Sequence, residues 1–190
     1  MVEHERQRSP RLPANWQEQI ASMPSVGERY SLITDFHRDV SVTLAEAAIP
    51  VILTSSRVLN EPQIRRIVRR RTIQEDIPVP NIYGTTFVLG DDSFFDNASR
   101  AIITRFNAPE VYPHPWNLKS VVDYREITSS DPSRDFFNAV FVYVPFGEVG
   151  PEEDKMRNIG EVQLLTPESL QMADRRGVRL PPSSRYRRYL

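Results

Sequence analysis

A chain of 190 residues is long enough for one ordinary core, and 39% hydrophobic with 26% charged residues excludes both compositional disorder and a membrane-spanning class. It has no cysteine, which removes disulfides, thiolate metal sites and cysteine nucleophiles. A formal net charge of −1 removes wholesale attraction to nucleic acid or an anionic membrane, so any such binding has to be local.

The longest apolar run, Ile49 to Leu53, falls far short of the roughly 20 residues that a membrane-spanning helix needs. The first residues, Met1 to Arg8, mix charges of both signs and lack the apolar stretch of a secretory signal. A soluble protein is expected, located inside the cell or within an assembled particle and not exported by a signal peptide.

In chain order, residues 1–14 read as an extended, proline-punctuated arm, residues 15–177 as a single domain, and residues 178–190 as a basic-aromatic tail. Asn15 offers a cap for a short helix from Trp16 to Met23 that Pro24 closes. A longer helix is expected from Gly27 to Ala48, because Ile33, Phe36, Val40, Leu44 and Ala47 recur at spacings of three and four. Pro50 ends it.

Val51 to Thr54 suits a strand, and Asn60-Glu61-Pro62 opens a further helix running to about Arg71. Pro78 and Pro80 precede a β-rich half. Strands are expected at Tyr83 to Leu89, Ala101 to Phe106, Ser120 to Ile127, Ala139 to Pro145 and Glu161 to Leu165, each rich in β-branched or aromatic residues and bounded by turn formers. A last helix runs from Pro167 to Arg176, with Thr166 as its cap and Gly177 past its end. N-terminal helices, a mostly antiparallel sheet of about five strands and a C-terminal helix make an α+β fold with extended polar termini.

The acidic and histidine clusters give weak chemistry. Asp35, His37 and Asp39 are metal-ligand types, but on a helix alternate residues point about 200° apart, so Asp35 and His37 diverge and a solvated face is expected. Asp91, Asp92 and Asp96 do not follow the spacing of a calcium loop and read as a polar turn between strands. Glu152 to Asp154 lies in a Gly- and Pro-flanked loop, a solvated place for carboxylates. His114, between two prolines and beside Tyr112 and Trp116, suits packing more than ligation. No nucleophile turn and no glycine-rich phosphate loop occurs, and no cofactor is implied.

The arginines carry the remaining signal. Of 24 basic residues only Lys119 and Lys155 are lysine, a bias that either genome composition or selection for desolvated interfaces produces. Between Arg57 and Arg71 six arginines face one acid, Glu61, for a local charge of +5. On a helix Arg65, Arg66, Arg69 and Arg70, with Arg71, flank an apolar stripe and repel one another at i, i+4, a cost that an anionic partner relieves. The tail Arg185, Tyr186, Arg187, Arg188, Tyr189 combines cations with stacking surfaces.

These features lead to an expectation of a non-enzymatic structural or assembly subunit, such as a minor capsid or connector protein of a virion. It would bind other protein subunits, copies of itself included, through its arginine-rich segments and termini. The alternative is a nucleic-acid-binding module using Arg57 to Arg71 and the tail. An enzyme with an unfamiliar metal-dependent site, built on Asp35, His37 and Asp39 or on Asp91, Asp92 and Asp96, is the third reading.

Overall fold

The computed structural model describes residues 24–64, 82–111, 119–125, 138–147 and 158–175, with side chains up to residue 171. Helix α1 spans Val26–Glu46 and starts on a reciprocal capping box. The Ser25 hydroxyl accepts from the Glu28 N–H at 3.3 Å, and the Glu28 carboxylate accepts from the Ser25 N–H at 2.7 Å. Its buried stripe, Ile33, Phe36, Val40 and Leu44, is the one that the helical period predicts. The helix closes on a left-handed residue, Ala48 at φ 55°, with the Ile49 N–H reaching back to the Leu44 carbonyl at 2.9 Å.

Five strands follow: β1 (Val51–Val58), β2 (Tyr83–Leu89), β3 (Val121–Asp123), β4 (Ala139–Phe146) and β5 (Asn158–Leu165). They form one sheet in the order β1-β2-β5-β4-β3. Three of the four pairings are antiparallel, and β2 runs parallel to β5 at the centre. Every residue of β2 is buried, as a strand covered on both faces requires.

Helix α2 (Phe95–Arg105) lies between β2 and β3, where a strand over Ala101 to Phe106 was expected. Ile102 and Ile103 favour strand locally, but Phe95, Ala98 and Ile102 repeat at three and four and bury one helical face, and tertiary packing decides. Its end repeats the closure of α1, with Asn107 at φ 47°. Helix α3 (Pro167–Arg175) starts where expected, the Thr166 hydroxyl accepting from the Ser169 N–H at 3.2 Å.

Both α1 and α2 pack on one face of the sheet, over a core that includes Phe36, Phe87, Phe95, Phe146 and Leu164. Gly160 of β5 lets the Phe36 ring lie on the strand, since a Cβ there would overlap the ring. Helix α3 covers one end of the other face, where Leu170 joins Val88, Ala139 and Leu165. Among the described residues no helix is long and apolar enough to cross a membrane. The expected arm, the helix from Trp16 to Met23 and the tail lie outside the described residues, as does the third helix beyond its first turn, 61–64. That turn is capped by Asn60, whose side chain accepts from the Gln63 N–H at 3.0 Å.

Candidate active site

Alternation along the strands places Arg57 of β1, Gly84 and Thr86 of β2, Glu161 and Gln163 of β5, and Tyr143 of β4 on the face away from α1 and α2. The register sets them beside one another: Arg57 pairs with Gly84, Gly84 with Glu161, and Glu161 with Tyr143. They occupy the end of the face that Leu170 does not cover.

Glu161 is the centre. Its side chain is only 2% exposed, and burying a carboxylate is costly unless it is paired and hydrogen-bonded. The Arg57 guanidinium donates to Glu161 Oε1 at 2.6 Å, and the Gln163 amide donates to the same oxygen at 2.6 Å. The Tyr143 hydroxyl donates to Oε2 at the longer distance of 3.2 Å. Gln163 is oriented in turn by the Thr86 hydroxyl, which donates to its side-chain oxygen at 3.1 Å. Only one amide orientation serves both neighbours, with oxygen toward the hydroxyl and nitrogen toward the carboxylate.

Gly84 makes the pairing possible. Arg57 starts on β1 and reaches Glu161 on β5 by crossing β2, and a Cβ on Gly84 would stand 2.8 Å from Arg57 Nε. The guanidinium therefore lies against bare backbone. The result is a buried carboxylate with one oxygen held by two donors and the other by one hydroxyl.

The metal-like clusters read from the sequence come apart. Asp35 pairs with Arg38 at 3.0 Å on the exposed side of α1, and Asp39 lies 3.8 Å from the same guanidinium. His37 leaves that solvated face: its Nδ1 meets the Thr85 hydroxyl at 2.5 Å, and its ring stacks on Phe87. Burial pushes the His37 pKa down. Asp91, Asp92 and Asp96 sit at a 3-10 turn leading into α2, where a turn between strands was expected. Asp91 caps that turn through the Ser93 N–H at 2.8 Å, and the Ser93 hydrogen bonds hold its carboxyl below the usual range. Asp92 accepts from the Asn138 amide at 2.8 Å, and Asp96 pairs with Arg125 at 2.7 Å. Among the described residues no group of three or more His, Asp or Glu side chains is placed to hold one metal ion.

The arginines singled out in the sequence, Arg65, Arg66, Arg69, Arg70, Arg71, Arg185, Arg187 and Arg188, lie outside the described residues together with Tyr186 and Tyr189. Glu152 to Asp154 and His114 lie outside them too. Sequence reasoning missed Glu161, Gln163, Tyr143 and Thr86. The available signal was Gly160-Glu161-Val162-Gln163-Leu164, in which two polar residues share one face of an otherwise apolar strand.

No family model and no curated protein matches the sequence, so the likeness is one of structure. A GTP pyrophosphokinase family protein from Streptococcus pneumoniae superposes with a TM-score of 0.55 at 14% identity, over 87% of this chain and 76% of that one. The two share a fold. Small alarmone synthetase 2 from Bacillus subtilis matches with a TM-score of 0.52 at 15% identity, over 88% of this chain and 84% of its own. Small alarmone synthetase 1 from the same organism, bound to its product pppGpp, matches at 0.51 and 14%, over 85% and 77%.

These structures overturn the expectation of a non-enzymatic structural or assembly subunit, its virion form included. The chain read as an assembly unit because arginine-rich segments and polar termini stood out while no local motif marked a site. The polar residues of the Glu161 network are spread over four strands and meet only in the folded sheet.

Proposed function

We propose that this chain is an enzyme of phosphoryl-group chemistry, a pyrophosphate transferase acting on nucleoside polyphosphates, with the Glu161 network as its active site. The observation that carries the proposal is the buried Glu161 carboxylate, fixed by Arg57, Gln163 and Tyr143, on a sheet whose architecture recurs in a GTP pyrophosphokinase family protein and in two alarmone synthetases. Fold likeness alone does not assign function, and it is the site that supports the reading.

In the proposed reaction a hydroxyl of the acceptor nucleotide attacks the β-phosphorus of a donor nucleoside triphosphate. The bond between Pβ and the oxygen that bridges it to Pα breaks, and the donor leaves as its monophosphate. Glu161 Oε2, the oxygen held by one donor, takes the hydroxyl proton as the new O–P bond forms. Arg57 and Gln163 keep the carboxylate in place, and Arg57 supplies positive charge beside the phosphates. Positioning and charge do most of the work in such transfers, which a preorganised network on rigid strands provides.

The test is to incubate the full chain with GTP and a second nucleoside triphosphate and follow phosphorus resonances. Appearance of a nucleotide carrying an added diphosphate, matched by a nucleoside monophosphate, supports the proposal. Unchanged nucleotides across all donor and acceptor pairs and divalent metal salts contradict it.

A further inference from the structure

Arg29 lies in the first turns of α1 and is 8% exposed, yet among the described residues its guanidinium has a single hydrogen bond, to the Leu59 carbonyl at 3.2 Å. Its Nε is buried without a partner, and no ion pair to Arg29 forms among the described residues. The nearest acid in sequence, Glu28, turns away to cap the helix through Ser25. A cation near a helix N-terminus also stands at the positive end of the helix dipole, which adds to the cost of burying it. Arg57, by contrast, is largely buried and paired with a carboxylate.

Position gives the missing charge a role. Leu59 directly follows β1, and its N–H bonds the Ile82 carbonyl at 2.8 Å, just before Tyr83 opens β2. The Arg29 guanidinium therefore stands at the same end of β1 and β2 as Arg57 and Gly84, but on the helix-covered face with Tyr83. Its charge is felt at the Tyr83 hydroxyl, where it opposes the upward push of burial on the Tyr83 pKa.

We propose that Arg29 is an anion-binding residue that takes a phosphate group at the β1–β2 end of the sheet, on the face opposite the Glu161 network. The need for an anion rests on the buried guanidinium, whose planar fork matches a phosphate edge. The choice of phosphate rests on the nucleotide reading proposed above. A nucleotide's own phosphate and free inorganic phosphate share this chemistry.

The experiment measures the thermal midpoint of the full chain against inorganic phosphate and against GTP, with sodium chloride at matched ionic strength as control. For the unmodified chain the midpoint rises by roughly 5–10 °C once phosphate is about a hundredfold above its Kd. In Arg29→Met that rise is lost while the phosphate-free midpoint stays the same or increases, because a buried unpaired charge is gone. Arg125→Met, at an arginine of the surface cluster with Asp96 and Asp123, keeps the rise with inorganic phosphate. If Arg29→Met does not fold, Arg29→Lys serves, with phosphate affinity at least tenfold weaker. A response to GTP but not to inorganic phosphate, lost in Arg29→Met, identifies the nucleotide as the source.

The inference is overturned if neither probe stabilises the unmodified chain beyond the chloride control, or if the Arg29 variants respond as it does. Loss of the response with no pyrophosphate transfer by any pair of nucleotides leaves Arg29 as an anion site and removes the enzymatic reading. Transfer with no Arg29-dependent response does the reverse.

Discussion

Two arginine–carboxylate clusters in this molecule use the same chemistry in opposite settings. Arg57 and Glu161 are 104 residues apart, joined across three strands at 2.6 Å, with side chains 11% and 2% exposed. Arg125 holds Asp123, two residues away, and Asp96 at the start of α2, with Asp96 73% exposed and Arg125 itself 28%. The Arg125 guanidinium also lies over the Phe95 ring at 5.4 Å. The surface cluster ties the end of β3 to α2 and adds little energy, because water screens it. The other holds a mostly buried guanidinium against a buried carboxylate, which makes it costly to break.

Breaking the buried pair is the severest way to test that contrast. Arg57→Ala or Glu161→Ala leaves its partner charged and buried, and urea unfolding is expected to show a loss of about 3–5 kcal/mol. The double variant Arg57→Met with Glu161→Leu recovers most of it. Next comes Gly84→Ala, whose methyl pushes the guanidinium off its path. A loss of about 1–3 kcal/mol is expected, together with reduced activity, although no charged group has been removed. An unchanged Gly84→Ala protein would show that the contact is dispensable.

Arg125→Met is expected to cost only about 1 kcal/mol, and with a pH signature. Burial pushes the Asp123 carboxyl up, but hydrogen bonds and charge from Arg125 outweigh it and leave the pKa below 3.8. A carboxyl depressed in the folded state contributes stability above its unfolded pKa and loses it as pH falls through the folded value. The difference between the unmodified chain and Arg125→Met is thus full above about pH 5 and closes on acidification. A gap that widens in acid would be the wrong sign. The smallest effect is that of Ala48→Gly, which relieves the left-handed residue closing α1 and is expected to raise stability by up to about 1 kcal/mol.

Local signals explain what was legible in the sequence. The period of Ile33, Phe36, Val40 and Leu44, the cap at Thr166 and the β-branched runs of β2 and β4 each lie within a dozen residues, and the α+β class follows from them. Helix α2 was misread because its most apolar stretch, Ile102-Ile103, is short and β-branched, while the anchors of its helical face, Phe95 and Ala98, precede it. The site was not legible because Arg57, Thr86, Tyr143 and Glu161 come from four strands, and only the register of the sheet brings them together. Arginine density drew attention to segments 57–71 and 185–188 as basic surfaces, whereas Arg29, which the fold buries, stands outside both, and Arg57 was read only as a member of the basic run.

The most direct measurement is the rate of pyrophosphate transfer by Glu161→Gln beside the unmodified chain, with urea unfolding of both. The substitution keeps the shape and removes the basic oxygen, so transfer is expected to fall by about 100-fold or more while the chain remains folded. Equal rates in the two proteins, or no transfer by the unmodified chain, would contradict the assignment of this sheet face as an active site.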